Sequence, residues 1–412
     1  MRIDSNKTKA NFVYNILYEI IRVIVPLITT PYISRVLGSY GIGEFALAQT
    51  YSMYFVMFGV LGLNSYATRE LAYVRNDENR FAEVFWQVVS AKIVMMSISI
   101  AIYIFVFWAI VPDGVCNKIY LIYLISEIFN IGFYFIAVER FKTIALRNIT
   151  IKAVSMVFIF MFVTEKSHTW RYTLIIVLAE VLGQIVNWIS VDRVIIRKIH
   201  FSLKNFKREL SVAVSLFLPT LAIQVYTMLD KLMLGMIIGE SATGFYENAN
   251  KMIRLASAVA SAAVAVFIPR MANDFANKKL DNFNQNIVRV FKIVSFLVFP
   301  MCVGLMAIAS DFSPWYYGED FTGIEMLFYI GSIMIVSLGW SGLFGSMILV
   351  PAGKQKYYTL GVTVGAVINF IFNVCLIPRY ASNGAMIASV VAEVVGMLIM
   401  YYYVRKEFYT VG

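Results

Sequence analysis

The chain has 412 residues, 60% hydrophobic and only 15% charged, with a mean hydropathy of +0.73. Soluble domains run at roughly 45–50% apolar and 25% charged residues, so this composition excludes a soluble globular protein and indicates a polytopic membrane protein. The formal net charge of +10 implies no nucleic-acid partner, because most of the Lys and Arg lies in alternate connections between apolar segments.

The apolar segments are long enough to cross a hydrocarbon core of about 30 Å as helices, and about twice the length that barrel strands would need. Spans are expected near residues 12–33, 44–64, 85–110, 119–138, 149–164, 172–191, 212–237, 250–270, 288–309, 325–350, 357–377 and 383–403. The first eleven residues are polar, and the segment after them carries Glu19 and Arg22, so it reads as a retained span rather than a signal peptide. Glu19 and Arg22 stand three apart on one helical face, a spacing that suits either a local ion pair or an arginine reaching for an anionic ligand. Pro26 and Pro31 kink the same span; the kink either bends during transport or merely packs.

A short pattern follows: Leu37-Gly38, Gly43, Phe45, Ala48 and Gln49. Lys92 lies in the third span, Glu127 in the fourth and Glu180 in the sixth. The most polar connection, Asp192 to Glu209, divides the chain into six spans plus six. The seventh span holds Pro219 and the adjacent Asp230 and Lys231. The first pattern then returns, about 200 residues on, as Ile238-Gly239, Gly244, Tyr246, Ala249 and Asn250. Lys251 and Arg254 share a face of the eighth span, and Glu393 sits in the twelfth within Ala392-Glu393-Val394-Val395-Gly396, an echo of Ala179-Glu180-Val181-Leu182-Gly183. Two related halves are therefore expected: an all-α membrane protein of about twelve transmembrane helices in two pseudo-symmetric six-helix bundles, residues 1–200 and 201–412. Basic residues concentrate in one set of connections, which puts both termini in the cytoplasm.

Ionisable groups inside apolar spans cost roughly 2.5–3.5 kcal/mol each at the bilayer centre, so they face a cavity or a partner unless they snorkel to the headgroups. Arg22, Lys92, Lys231 and Arg254 would make a basic chamber suited to phosphate or diphosphate rather than to a cationic drug. Glu127, Glu180, Asp230 and Glu393 are the carboxylates available to carry a proton or cation. Cys116, Cys302 and Cys375 are too few and scattered for a disulfide framework or zinc site, and His168 and His200 both fall in loops. No GxxxxGK[ST] pattern is present, so transport would draw on an ion gradient, a partner or substrate supply, with no cofactor implied. A membrane-embedded glycosyltransferase or polymerase would need paired acids on a sizeable soluble loop, and a structural scaffold fits the intramembrane charges poorly.

Several stretches together resemble the polysaccharide transporter family. They are Pro31-Tyr32-Ile33-Ser34-Arg35-Val36-Leu37-Gly38 with Gly41 and Gly43; Asp230-Lys231 with Leu234-Gly235; and Gly244-Phe245-Tyr246 with Ala249. Pro351-Ala352-Gly353-Lys354, Asn369 with Asn373, Leu376-Ile377-Pro378, Gly384-Ala385 and Glu393 continue the match in order. That family holds the Wzx-type flippases, within a superfamily that also includes multidrug antiporters and lipid II flippases. The resemblance implies paired six-helix bundles that move an undecaprenyl-pyrophosphate-linked oligosaccharide across the bacterial cytoplasmic membrane, for capsule, exopolysaccharide or O-antigen synthesis. It implies transport and not enzymatic catalysis, alternating access coupled to protons or sodium, and a polymerase and chain-length regulator as partners alongside membrane lipids. Arg35 joins Arg22, Lys92, Lys231 and Arg254 as a candidate substrate-binding residue. Many members carry two further spans outside the core bundles.

Overall fold

The computed structural model describes the backbone of residues 5–110, 114–197, 201 and 204–408. It describes the side chains of these residues from 23 onward, apart from 110, 141, 194, 197, 218–220, 222, 223 and 226. Glu19, Arg22 and Pro219 therefore lie outside the described side chains, as does His200 altogether.

The described residues form helices and no strand. In chain order these are α1 (Ser5–Val60), α2 (Leu63–Tyr73), α3 (Glu78–Phe105), α4 (Val115–Ile128), α5 (Gly132–Ala137), α6 (Phe141–Phe162) and α7 (Thr169–Ile189). There follow α8 (Arg193–Arg197), α9 (Phe206–Ile237), α10 (Glu240–Ala276), α11 (Leu280–Tyr317), α12 (Ile324–Gly331), α13 (Ile333–Ser341) and α14 (Gln355–Phe408). Among the described residues eight helices are long and apolar enough to cross a membrane by themselves, and one bent pair makes a ninth. The helix α9, several of whose side chains lie outside the described residues, is not among them, so this is no count of the whole chain. Two helices are longer than one span and each contains a break, α1 at Gly38 (φ 68°) and α14 at Ala381 (φ 47°), so each covers two of the apolar segments.

Starts and stops follow local chemistry. Asp77 caps α3 by accepting hydrogen bonds from the backbone nitrogens of Asn79 and Arg80, both at 3.1 Å. The span near 119–138 is broken into α4 and α5, and the span near 325–350 is divided among α12, α13 and a π-helical stretch at Gly342–Leu349. Such π-turns leave the backbone wider and recur at functional sites.

The chain falls into two compact units. One comprises Met1–Leu37 and Glu44–Leu221, the other Gly38–Gly43 and Ala222–Gly412. The first has a core in which Phe85, Leu124, Tyr134, Met96 and Tyr103 are fully enclosed. The second buries Val290, Val294, Phe328, Ile335, Phe344 and Met347. Within the second unit the short segment Gly38–Gly43 meets the start of the second copy of the repeated pattern. A Cβ on Gly43 would lie 1.7 Å from the Glu240 carbonyl oxygen, and a Cβ on Gly244 would lie 2.0 Å from the Ser39 carbonyl oxygen. Only glycine allows this backbone approach, and Gly239 (φ 117°) supplies the turn that precedes it, as Gly38 does for the first copy.

The two halves of α14 also lie against each other. Gly361 and Gly365 on the first half face Gly396 and Ala392 on the second, where added Cβ atoms would come within 2.8 and 3.0 Å of backbone oxygens. Small residues four apart on both surfaces let helices approach closely in lipid, where no hydrophobic force drives them together.

Candidate functional site

The densest polar cluster in the second unit is built on α9, α10 and α14. Asp230 on α9 is 3% exposed, and four side chains hydrogen-bond to its carboxylate. Asn369 and Asn373 on α14 donate to Oδ1 at 2.9 and 2.6 Å. Tyr246 on α10 and Ser389 on α14 donate to Oδ2, each at 2.5 Å. The break at Ala381 makes this possible, since it turns α14 back so that Asn369, Asn373 and Ser389 converge on one carboxylate. A buried carboxylate is tolerated when its lone pairs are satisfied in this way. One oxygen in the cluster has no donor: Asn373 Oδ1 is buried and accepts no hydrogen bond.

Beside this cluster α10 presents one polar face. Tyr246, Glu247, Asn250, Lys251 and Arg254 fall at spacings of one, three and four residues, so they line the same stripe of helix. The Lys231 ammonium lies 3.1 Å from the Glu247 carboxylate. Nε of Arg254 donates to Asn250 Oδ1 at 3.2 Å. Arg254 and Glu393 both line a cavity of about 220 Å³ within this unit, together with Thr227, Ser346 and Tyr358. The π-helical residue Gly342 borders the same cavity, and a Cβ there would meet nothing within 4 Å.

In the first unit the polar cluster has a different character. Lys92 on α3 is fully buried, and its Nζ donates to the Asn130 carbonyl oxygen at 2.6 Å. Asn130 lies in the break between α4 and α5, where the interrupted helix leaves backbone carbonyls without intrahelical donors. Its Nδ2 donates to both carboxylate oxygens of Glu127, at 3.1 and 3.0 Å, and its Oδ1 accepts from the Gly132 nitrogen at 3.0 Å. Lys92 thus completes a broken helix in this conformation; it does not face a cavity.

The candidate residues are accordingly distributed. Asp230, Lys231 and Arg254 lie close together on adjoining helices in the second unit, with Glu393 across the small cavity from α10. Lys92 and Glu127 form a separate cluster in the first unit. Arg35 on α1 and Glu180 on α7 are exposed, so Glu180 is not the buried carboxylate expected from its span. The three cysteines are free, Cys116 and Cys302 buried and Cys375 exposed. Among the described residues no group of His, Cys, Asp and Glu could hold a metal ion.

Four residues that matter here carried no chemistry in the sequence reading. Glu247 is the missed acid; its signal was the four-residue spacing to Lys251 on the face already assigned to Arg254. Asn130, Tyr246 and Ser389 were missed because hydrogen-bonding side chains show no charge pattern, although Asn130 stands three residues after Glu127.

A family model described as "Polysaccharide biosynthesis protein" matches residues 8–275, more than half of the chain. A "Putative O-antigen transporter" of Escherichia coli (strain K12) is 23% identical, with 99% of each chain covered. Among solved structures, "Lipid II flippase MurJ, inward closed conformation" superposes with a TM-score of 0.75 at 16% identity, covering 95% of this chain and 87% of that one. An inward-facing multidrug resistance MATE family transporter gives a TM-score of 0.64 at 14% identity, covering 94% and 98%. These two likenesses establish the fold that the chain shares with both.

Proposed function

The chain belongs to the polysaccharide biosynthesis protein family, and from that premise we propose that it is a flippase. Its substrate in this reading is an undecaprenyl-pyrophosphate-linked oligosaccharide repeat unit, moved across the bacterial cytoplasmic membrane for capsule, exopolysaccharide or O-antigen synthesis. Both termini are cytoplasmic in this reading, and a polymerase and chain-length regulator receive the product. The full-length likeness to a putative O-antigen transporter supports the substrate class.

The single observation that carries the reading is the cationic stripe beside a cavity in the second unit. Lys251 and Arg254 lie on adjoining turns of α10, Lys231 of α9 is tied to the same face through Glu247, and Arg254 reaches the cavity wall. Guanidinium and ammonium groups in a partly dry site bind diphosphate oxygens more strongly than they would in water. Glu247 holds Lys231 while the site is empty, and the diphosphate competes with that carboxylate for the same ammonium. Arg22 and Arg35 on α1, in the first unit, are further candidate substrate-binding residues in this reading. Because Glu247 and Glu393 stand among the cations of the second unit, the preference for an anionic lipid-linked sugar over a cationic drug rests on the family and on the likeness to a putative O-antigen transporter.

Asp230 is the proposed coupling carboxylate, with Glu127 and Glu393 as further candidates. The unpartnered oxygen of Asn373 beside Asp230 supports this choice, because a proton or a small hard cation entering there would find oxygens already gathered. Binding the ion changes the charge of the cluster and so biases the two access states differently.

The test is complementation. A strain lacking the gene should regain surface polysaccharide with the wild-type chain and fail to do so with Lys231→Ala/Arg254→Ala at equal membrane abundance. Normal polymer from that variant contradicts the proposal.

A further inference from the structure

The first unit carries a second concavity whose chemistry is the opposite of the cluster just described. Where α4 and α7 lie side by side they leave an open groove of about 580 Å³. Its walls are Ile122 and Ile125 of α4 and Phe129 just past its end, with Ile185 and Trp188 of α7, and Ile196 of α8 stands at one end. Three polar groups in the lining are turned to other uses. Ser126 Oγ donates to the Tyr123 carbonyl oxygen at 2.8 Å, Trp188 Nε1 to that of Phe129 at 2.8 Å, and Gln184 Oε1 accepts from Asn187 at 3.1 Å. The apolar side chains remain open, with Phe129 48% and Ile185 49% exposed.

Ile122, Ile125 and Phe129 recur at three and four residues, so the trough runs along α4 for about 10 Å at 1.5 Å per residue. That is about two-thirds of one leaflet of a 30 Å core. Its α8 end adjoins the basic connection Asp192 to Glu209. Arg193 is exposed there, three residues before Ile196 on α8, and Arg140 pairs with Asp192 at 2.9 Å.

We propose that this groove seats the isoprenoid chain of an anionic polyprenyl diphosphate while its headgroup lies at the level of Arg193. The inference rests on the flippase reading. An apolar trough that ends at a basic helix matches a long hydrocarbon carrying a negative head, and the match in charge at one end selects this occupant. A hydrocarbon chain gains no hydrophobic free energy by moving from lipid into the groove. What it gains is packing of methyl branches against branched side chains, together with attraction of the head to Arg193. The groove therefore orients the lipid for entry rather than storing it.

The experiment uses the full chain in phosphatidylcholine nanodiscs, with Cys375→Ser as background because Cys375 is exposed. Single Ile125→Cys and Ile185→Cys variants are labelled with a lipid-soluble maleimide. Undecaprenyl diphosphate should slow labelling several-fold, whereas farnesyl diphosphate and phosphatidylglycerol should not. Equal protection by phosphatidylglycerol overturns the proposal in favour of ordinary bilayer lipid, and protection that grows with protein density without added lipid overturns it in favour of a second copy. In a second arm, Ile125→Trp/Ile185→Trp fills the groove. Binding of undecaprenyl diphosphate should weaken several-fold with binding of farnesyl diphosphate kept; equal loss of both overturns the proposal. Wild-type flipping of lipid-linked oligosaccharide is measured in parallel. Flipping by the wild type with unaltered lipid binding by the filled groove sinks this inference alone, whereas no flipping by the wild type sinks the function beneath it.

Discussion

Asp230 accepts four hydrogen bonds from neutral side chains, and the consequences of removing one differ from those of removing the charge. Ser389→Ala deletes one donor and should cost about 0.6–2 kcal/mol, the range for interhelical side-chain bonds in membranes. Asp230→Asn keeps the shape but places an amide where four donors converge, so it should destabilise more than Ser389→Ala. Thermal unfolding of the detergent-purified variants ranks them, and an Asp230→Asn protein as stable as the wild type would show that the donors do not depend on the charge. Asp230 itself was legible as an intramembrane acid beside Lys231. Its four partners were not, because Asn369, Asn373, Tyr246 and Ser389 come from segments up to 159 residues away, and a single sequence does not show which helices touch.

At the scale of elements, the glycine positions make the sharpest demand. Gly244→Ala should cost more than the usual 1–3 kcal/mol of overpacking, since the obstacle is the Ser39 carbonyl rather than a movable side chain. Gly342→Ala, with open space around it, should be close to neutral for folding. Comparing the two melting temperatures tests the close crossing; equal effects would contradict it. A second element-scale tie joins the loop before α14 to its far end, where Lys354 Nζ lies 2.8 Å from Glu407. The hydrogen bond to Glu407 holds the Lys354 ammonium above its ordinary value. A raised lysine contributes while it is charged, so the tie is fully present below the ordinary lysine range and is lost as pH rises through the raised value. Amide exchange in the last turn of α14 should thus accelerate at strongly alkaline pH in the wild type, and already be fast at neutral pH in Lys354→Met. The spans were readable from hydropathy because each is an uninterrupted apolar stretch. The breaks at Gly38 and Ala381 fall between expected spans, whereas the break at Asn130 was not readable, because it depends on backbone conformation and on partners such as Lys92.

For the molecule as a whole, the alternation of basic connections decides orientation. A fluorescent protein fused after Gly412 should fluoresce and an alkaline phosphatase fused there should stay inactive, as a cytoplasmic terminus requires. The reverse pattern would invert the account of which side captures substrate. Composition alone identified a polytopic membrane protein; the repeated motif pointed to two related halves of a transporter and located the two glycine-lined turns. The charge balance of the site was less legible. Lys231 and Arg254 read as members of a basic chamber, yet Glu247 and Glu393 stand among them, so the cluster is mixed: Lys231 pairs with Glu247, while Arg254 bonds to Asn250.

The most direct measurement is flipping of a fluorescent undecaprenyl-diphosphate-linked oligosaccharide in proteoliposomes, read by its accessibility to an added quencher. The account predicts transfer by the wild-type chain and loss of transfer in a folded Arg254→Ala protein. Equal transfer by both proteins, or none by the wild type, would contradict it.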